Sequence, residues 1–192
     1  MAGPAAKGRS RARWTAAAVV LLMLSPGVAW LLVRAGLLPS GAVLICGFIL
    51  GGPVGLFLLP ELDKEARLVS CSMSTVTART LTGERTVDLR HISRVRLRTG
   101  FSYGRAFHTP VVRDRDGVRL ALTSERSRRS LARAVHRIPA GAEGAPVISA
   151  AARAALDIGP RGPLTAHTAG SLLLLIITIT LYVVAVLRLA GV

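Results

Sequence analysis

Residues 171–187 read SLLLLIITITLYVVAVL, seventeen residues without a charged side chain. Because an α-helix rises about 1.5 Å per residue, roughly 20 residues are enough to cross the hydrocarbon core of a bilayer. Two more uncharged stretches of this kind occupy residues 14–33 and 41–59. None of the three alternates between apolar and polar residues as the strands of a membrane barrel do. The sequence therefore predicts three transmembrane helices, at 14–33, 41–59 and 171–187.

The first apolar stretch has two alternative interpretations. A signal peptide needs a basic N-terminal region, which residues 1–13 supply, and a small-residue cleavage site such as Gly27-Val28-Ala29. The apolar residues continue through Val33, past that site, and this favours a retained membrane anchor. The other alternative is the core helix of a soluble domain, but long helices that are apolar on all sides are unusual in so small a chain.

The charge distribution predicts how the chain crosses the membrane. Charged residues make up only 18% of the chain, yet its formal net charge is +15. Basic residues that flank membrane spans stay on the cytoplasmic side. Four of them lie in residues 1–13, one in residues 34–40, nineteen in residues 61–168, and one in the tail at 188–192. The pattern predicts a multi-pass protein of the cell (inner) membrane, with a cytoplasmic N-terminus, a cytoplasmic domain at 61–168 and an external tail.

Small residues recur at helical spacing within the second predicted span. Gly47, Gly51 and Gly55 lie four residues apart and place bare backbone on one helix face. Such a face permits close helix packing. It suits either a dimer or, as we favour, another span of the same chain. No Asp, Glu, Lys or His lies in any predicted span, and this disfavours a stand-alone transporter or pump.

The segment 61–168 combines all ten acidic residues with nineteen basic ones, which leaves a net charge of +9. Its size suits one small α+β domain. β-Branched residues and alternation predict strands at 74–81, 86–89, 94–98, 108–113 and 118–122. The sequence Asp114-Arg115-Asp116-Gly117 predicts a tight hairpin turn, and Gly100 to Gly104 predict a loop. Thr123 or Ser124 is a suitable cap for a helix that ends near Ile138, and a second short helix is expected at 149–157.

The stretch VTARTLTGERTVDL at residues 76–89, with the hairpin and the basic helix behind it, resembles one group of proteins. These are small actinobacterial membrane proteins with a bacterial pleckstrin-homology-like domain, and the richness in Arg and Ala is similar to that of Streptomyces proteins. The resemblance covers roughly residues 66–158. It implies a curved sheet or barrel capped by a C-terminal helix and used for interaction or assembly. The capping helix here carries no Trp, and most members of the group have no assigned activity, so no site is carried over.

The sequence holds no arrangement typical of an enzyme. Cys46 and Cys71 have no partner motif for a metal or a disulfide, and Asp88 near His91 lacks the surrounding pattern of a catalytic site. Phosphate-binding loops and dinucleotide fingerprints are absent as well. We therefore expect no catalytic activity, no cofactor and no metal. Aromatic residues that could stack on bases are scarce, so we also expect no nucleic acid.

The arginines of the domain are the best candidates for a binding site. The arginines of the predicted strand at 94–98 alternate with Val95 and Leu97, and others lie on the predicted helix that ends near Ile138. Arginine binds phosphate with two parallel hydrogen bonds. The lipid- or partner-binding residues that we predict are Arg94, Arg96, Arg98, Arg129 and Arg133. The alternative is a solvated surface in a chain that uses Arg in place of Lys.

The functional hypothesis is a non-enzymatic interaction or scaffold module, held at the membrane, whose basic domain contacts anionic lipid headgroups or an acidic partner. Membrane lipids are the expected partners, together with a second copy of the chain or an unidentified membrane protein. The competing hypothesis is an accessory subunit of a membrane enzyme or transporter, which contributes spans rather than recognition.

Overall fold

The computed structural model describes residues 14–15, 17–52, 58, 60–138 and 145–191. The chain divides into two compact units. A helical unit takes the residues up to Leu62 and from Leu173 onward, and an α+β domain runs from Asp63 to Leu172. The predicted basic N-terminus at residues 1–13 lies outside the described residues.

The first predicted span is a pair of helices rather than a single one. Helix α1, Ala17–Met23, and helix α2, Ser25–Arg34, meet at an angle of 49°. Pro26 stands in the first turn of α2. Its ring has no amide hydrogen to donate and crowds the carbonyl group four residues earlier, in α1. The bend therefore has a local cause in the sequence.

One helix of the described chain is by itself long and apolar enough to cross a membrane, helix α6 at Gly162–Ala190, with a mean hydropathy of 2.6. It begins nine residues before the predicted third span and contains all of it. The bent pair α1 and α2 meets the same criterion only when both helices count as one span. The described part of the second predicted span is a short helix, α3, at Ala42–Gly51. Instead of three full-length spans, the described residues therefore contain one, and two with the bent pair.

The described residues of the α+β domain form seven strands: β1 at Arg67–Cys71, β2 at Thr75–Thr80, β3 at Gly83–Asp88, β4 at Ile92–Ser102, β5 at Arg105–Asp114, β6 at Arg119–Ala121 and β7 at Val147–Ile148. The first three form an antiparallel sheet in the order β1-β2-β3. The others form a second sheet in the order β6-β5-β4-β7, in which β7 runs parallel to β4. Within the described residues no sheet closes on itself. The domain is therefore sheet-rich, as predicted, but the closed pleckstrin-homology-like barrel is not confirmed.

Two helices cover the apolar side of the sheets. Helix α4 spans Glu125–His136, and its first turn is capped by Ser124, whose hydroxyl accepts from the amide of Ser127. Helix α5 spans Ala150–Ala155 and is capped in the same way by Ser149. Both caps follow from the preference of serine for this position. The shared core contains Val76, Val87, Val95, Val112, Leu120, Leu131 and Ala152.

The region between β4 and β5 differs from the prediction. The expected loop at 100–104 is wrong, because both strands continue to a two-residue turn at Tyr103 and Gly104. Both residues adopt positive φ, 49° and 71°, as a tight hairpin turn requires. Tyr103 is not a residue type that the sequence pattern associates with this conformation. Strand β1 was also not predicted.

Candidate anion-binding face of the four-stranded sheet

Strand β4 separates its apolar and basic residues onto opposite faces of the sheet. Val95 and Leu97 are buried in the core, whereas Arg94 and Arg96 are exposed. Successive side chains of a strand point to opposite faces. The alternation in the sequence therefore places a row of guanidinium groups on the side of the sheet away from the core.

The strand register adds further arginines to this side. Arg94 of β4 pairs with Arg113 of β5, and Arg113 pairs with Arg119 of β6. Directly paired residues of antiparallel strands lie on the same face and next to each other. We call this surface the basic face; its residues are Arg94, Arg96, Arg98, Arg113 and Arg119. The last two were not predicted, although the Asp-Gly turn places residues 113 and 119 opposite each other.

One carboxylate neutralises part of the basic face. Asp63, a buried residue, accepts from Arg98 at 2.8 and 3.0 Å and from the Nε of Arg119 at 2.7 Å. Arg98 belongs to β4 and Arg119 to β6, so the carboxylate spans the strand between them. Arg98, which was predicted as a binding residue, and Arg119, which was not, therefore both form ion pairs within the domain. Arg98 therefore has a carboxylate partner within its own domain.

The remaining arginines of the basic face have no such partner. In the part of the chain that the structure describes, no hydrogen bond or ion pair involves the side chains of Arg94, Arg96 or Arg113. All three are exposed. An arginine in this state keeps its five donors available to an oxyanion from solution or from a lipid surface. These three residues form the candidate site.

Arg85 of the neighbouring sheet reinforces the positive potential beside the site. Its guanidinium donates to the carbonyl of Arg119 at 2.8 Å and to the hydroxyl of Thr82 at 2.6 Å. Burial lowers the pKa of Arg85, the charge of Asp63 opposes that effect, and the charge of Arg119 adds to it. Because arginine stays protonated in proteins, the group still contributes a positive charge near the basic face.

The predicted arginines of helix α4 are placed differently. Arg129 pairs with Glu125 of the same helix at 3.0 Å, and the Nε of Arg133 donates to the carbonyl of Arg129 at 3.3 Å. Both side chains lie on the helix surface opposite the buried Leu131. No contact among the described residues joins them to the basic face. The structure therefore does not unite the five predicted arginines into one site.

The glycines of the second predicted span lie in the helical unit. A Cβ atom on Gly47 would be 2.6 Å from Cγ1 of Val186, and the Tyr182 hydroxyl donates to the Gly47 carbonyl at 2.9 Å. Gly51 also adjoins Tyr182. These contacts are made with helix α6 of the same chain. Gly55 lies outside the described residues.

Other chemistry is sparse in the described residues. None of their His, Cys, Asp and Glu side chains form a group of three that could hold a metal. The carboxylate of Asp88 accepts from the amide of Arg90 and contacts His91 Nδ1, both at 2.8 Å. These two hydrogen bonds lower the pKa of Asp88. The arrangement stabilises the turn that follows β3.

Comparison with protein families, with curated proteins and with solved structures finds no match to this chain. Its function is therefore inferred from the geometry of the basic face and from the sequence.

Proposed function

We propose that the chain is a multi-pass protein of the cell membrane whose cytoplasmic α+β domain is a non-enzymatic interaction module, and that its basic face binds the anionic headgroups of phospholipids. The observation that carries the proposal is the placement, on adjacent strands, of three exposed arginines whose side chains have no ion pair or hydrogen bond with any described residue. Arg94, Arg96 and Arg113 lie side by side on the face away from the core. Each basic residue near an anionic leaflet contributes about 1 kcal/mol to binding.

The chain connection supports a lipid as the source of the anion. Arg98 and Arg119 hold Asp63, which follows the end of the second predicted span by four residues. Four residues of extended chain reach at most about 14 Å. The segment of chain between the basic face and the predicted second span is therefore short.

Two further features support the cytoplasmic position and the type of domain that we propose. The excess of basic residues in 1–13 and 61–168 favours a cytoplasmic position for both. The order of a three-stranded antiparallel sheet, a long hairpin and then helix α4 favours kinship with the pleckstrin-homology-like domains that the sequence resembles, in an open rather than closed form.

The test is the thermal unfolding of the full chain in neutral detergent, with short-chain phosphatidylglycerol or short-chain phosphatidylcholine added. A ligand that binds only the folded state raises the melting temperature. We expect phosphatidylglycerol to raise it and phosphatidylcholine to leave it unchanged. The double variant Arg94→Gln/Arg96→Gln should lose most of this shift. The double variant Arg129→Gln/Arg133→Gln removes the same charge from helix α4 and should keep it.

Two results would contradict the proposal. One is the absence of any shift with phosphatidylglycerol in the unsubstituted chain. The other is an equal loss in both double variants, which would indicate attraction to the overall charge. Recovery of a stoichiometric membrane-protein partner in mild detergent, together with no lipid effect, would favour the accessory-subunit hypothesis.

A further inference from the structure

The β4–β5 hairpin extends beyond the rest of its sheet. Strand β7 pairs with β4 only at Arg94 and Val95, and β6 pairs with β5 only from Val111 to Arg113. From Thr99 to His108 the two strands pair with each other and with no other described strand. At about 3.4 Å per residue this part projects by roughly 15 Å.

The tip of the hairpin presents aromatic residues to the surroundings. Tyr103 is 100% exposed and Phe107 is 52% exposed. Tyr103 also holds a positive φ of 49°, a conformation that costs a residue with a Cβ atom roughly 1–2 kcal/mol. Neither the packing of the domain nor the conformation of the turn therefore accounts for an aromatic residue at this position.

The charge around the tip is purely basic. Arg105 is exposed next to the turn, and residues 99–109 contain no Asp or Glu. Aromatic rings with a polar edge, such as that of tyrosine, prefer the headgroup level of a bilayer. Basic residues beside them add attraction to anionic lipids. The tip thus has the composition of a surface that binds at the membrane interface.

We infer that the tip of the β4–β5 hairpin is an interfacial anchor, in which Tyr103 and Phe107 enter the headgroup region of an anionic bilayer while Arg105 contacts lipid phosphate. This anchor orients the domain on the membrane that the chain already spans. It rests on the proposed function only in requiring that the domain face an anionic leaflet. Its residues are different from those of the basic face.

The experiment uses the full chain in nanodiscs of phosphatidylcholine with phosphatidylglycerol. A variant with Trp14→Phe and Trp30→Phe removes the native indoles, and Tyr103→Trp places a single fluorophore at the tip. Lipids brominated near the top of the acyl chain quench an indole that reaches the interface. The matched control is His136→Trp in the same background, because His136 is exposed on helix α4, which covers the side of the sheets opposite the basic face.

We expect the indole at position 103 to emit at shorter wavelength and to be quenched roughly twofold more than the indole at 136, as suits an interfacial aromatic residue. Equal, water-like emission and equal quenching at both positions would overturn the inference. Phe107→Trp, an exchange of one aromatic residue for another, repeats the test if the turn does not accept tryptophan. Quenching at 103 that persists when phosphatidylglycerol fails to stabilise the chain would refute the basic face as a lipid site and leave the anchor standing.

Discussion

The carboxylate of Asp63 accepts two hydrogen bonds from Arg98, which lies 35 residues further along the chain. Arg119 donates to the same carboxylate from the other side. Asp63 is the first residue of the α+β domain, so the ion pairs fix the start of the domain against the four-stranded sheet.

Replacing Asp63 should destabilise the domain. Asp63→Asn leaves two guanidinium groups close together without a counter-charge. Because the arginines are partly exposed, we expect a loss of about 1–3 kcal/mol in the free energy of unfolding, less than for a fully buried pair. The measurement is urea unfolding of the full chain in detergent, followed by circular dichroism. Asp116→Asn, in an exposed turn, is the control, and an equal effect of both substitutions would contradict the role of Asp63.

A second buried carboxylate holds the start of helix α4. Oε2 of Glu65 accepts from the amides of Thr123 and Ser124, at 3.0 and 3.3 Å, and from the hydroxyl of Ser127 at 2.8 Å. A negative charge at this end also interacts favourably with the helix dipole. We expect Glu65→Ala to cost about 2 kcal/mol of stability, and Glu65→Gln, which keeps an acceptor, to cost less. The same unfolding measurement applies, and equal stability of the alanine variant and the original chain would refute the assignment.

Packing between α3 and α6 should depend on Gly47. A methyl group there would come within 2.8 Å of both Cγ atoms of Val186. We expect Gly47→Ala to lower the thermal stability of the helical unit, with an overpacking cost of about 1–3 kcal/mol. Adding Val186→Ala should restore part of the loss.

Gly41 supplies the control for this prediction, because nothing lies within 4 Å of a Cβ atom built on it. Gly41→Ala should therefore have little effect on the melting temperature in detergent. The packing account fails if Val186→Ala gives no rescue of Gly47→Ala.

Local patterns in the sequence predicted the elements whose stability is local. The alternation from Arg94 to Arg98 gave the two faces of β4, the Asp-Gly turn gave the β5–β6 hairpin, and the helix caps at Ser124 and Ser149 follow from their hydrogen-bonding capacity. Strand β1 was missed because its residues gain their strand conformation from pairing with β2 rather than from their own pattern.

The parts of the site that could not be predicted depend on contacts between distant residues. Nothing near Asp63 in the sequence indicates that it binds Arg98, and nothing near Arg98 indicates that it is neutralised. The position of Arg129 relative to the basic face could not be predicted either. Its partner Glu125 lies one helical turn away, but the packing of the core decides where Arg129 lies relative to the basic face. The sequence was enough to predict that arginines form the candidate site. Which of these arginines form ion pairs within the domain depends on the tertiary structure.

The stability of the domain should fall at mildly acidic pH through His108. Burial, the charge of His167 on α6 and the charge of Arg128 on α4 lower its pKa below 6.5, and Thr99 of β4 shares a hydrogen bond with its Nδ1. A depressed pKa means that the unfolded chain binds the proton more readily. The stabilising contribution is therefore present above about pH 6.5 and lost as the pH falls through the folded-state pKa.

The check is the melting temperature of the full chain between about pH 7.5 and pH 5, a range in which histidine titrates and most carboxylates do not. His108→Gln should flatten this dependence, and His136→Gln, on the exposed side of α4, should leave it as in the original chain. An unaltered pH dependence in His108→Gln would show that other groups are responsible.

Contact between the basic face and an anionic bilayer can be measured directly as the accessibility of a thiol on that face. In the full chain with Cys46→Ala and Cys71→Ser, the substitution Arg96→Cys introduces one thiol on the basic face, and Arg129→Cys introduces one on helix α4 as the control. The rate of labelling by a water-soluble maleimide is then compared between nanodiscs of phosphatidylcholine alone and nanodiscs that also contain phosphatidylglycerol. If the basic face lies against the headgroups, labelling at position 96 is slower in the anionic nanodiscs and the rate at position 129 is unchanged. Equal rates at position 96 in both kinds of nanodisc would contradict this contact.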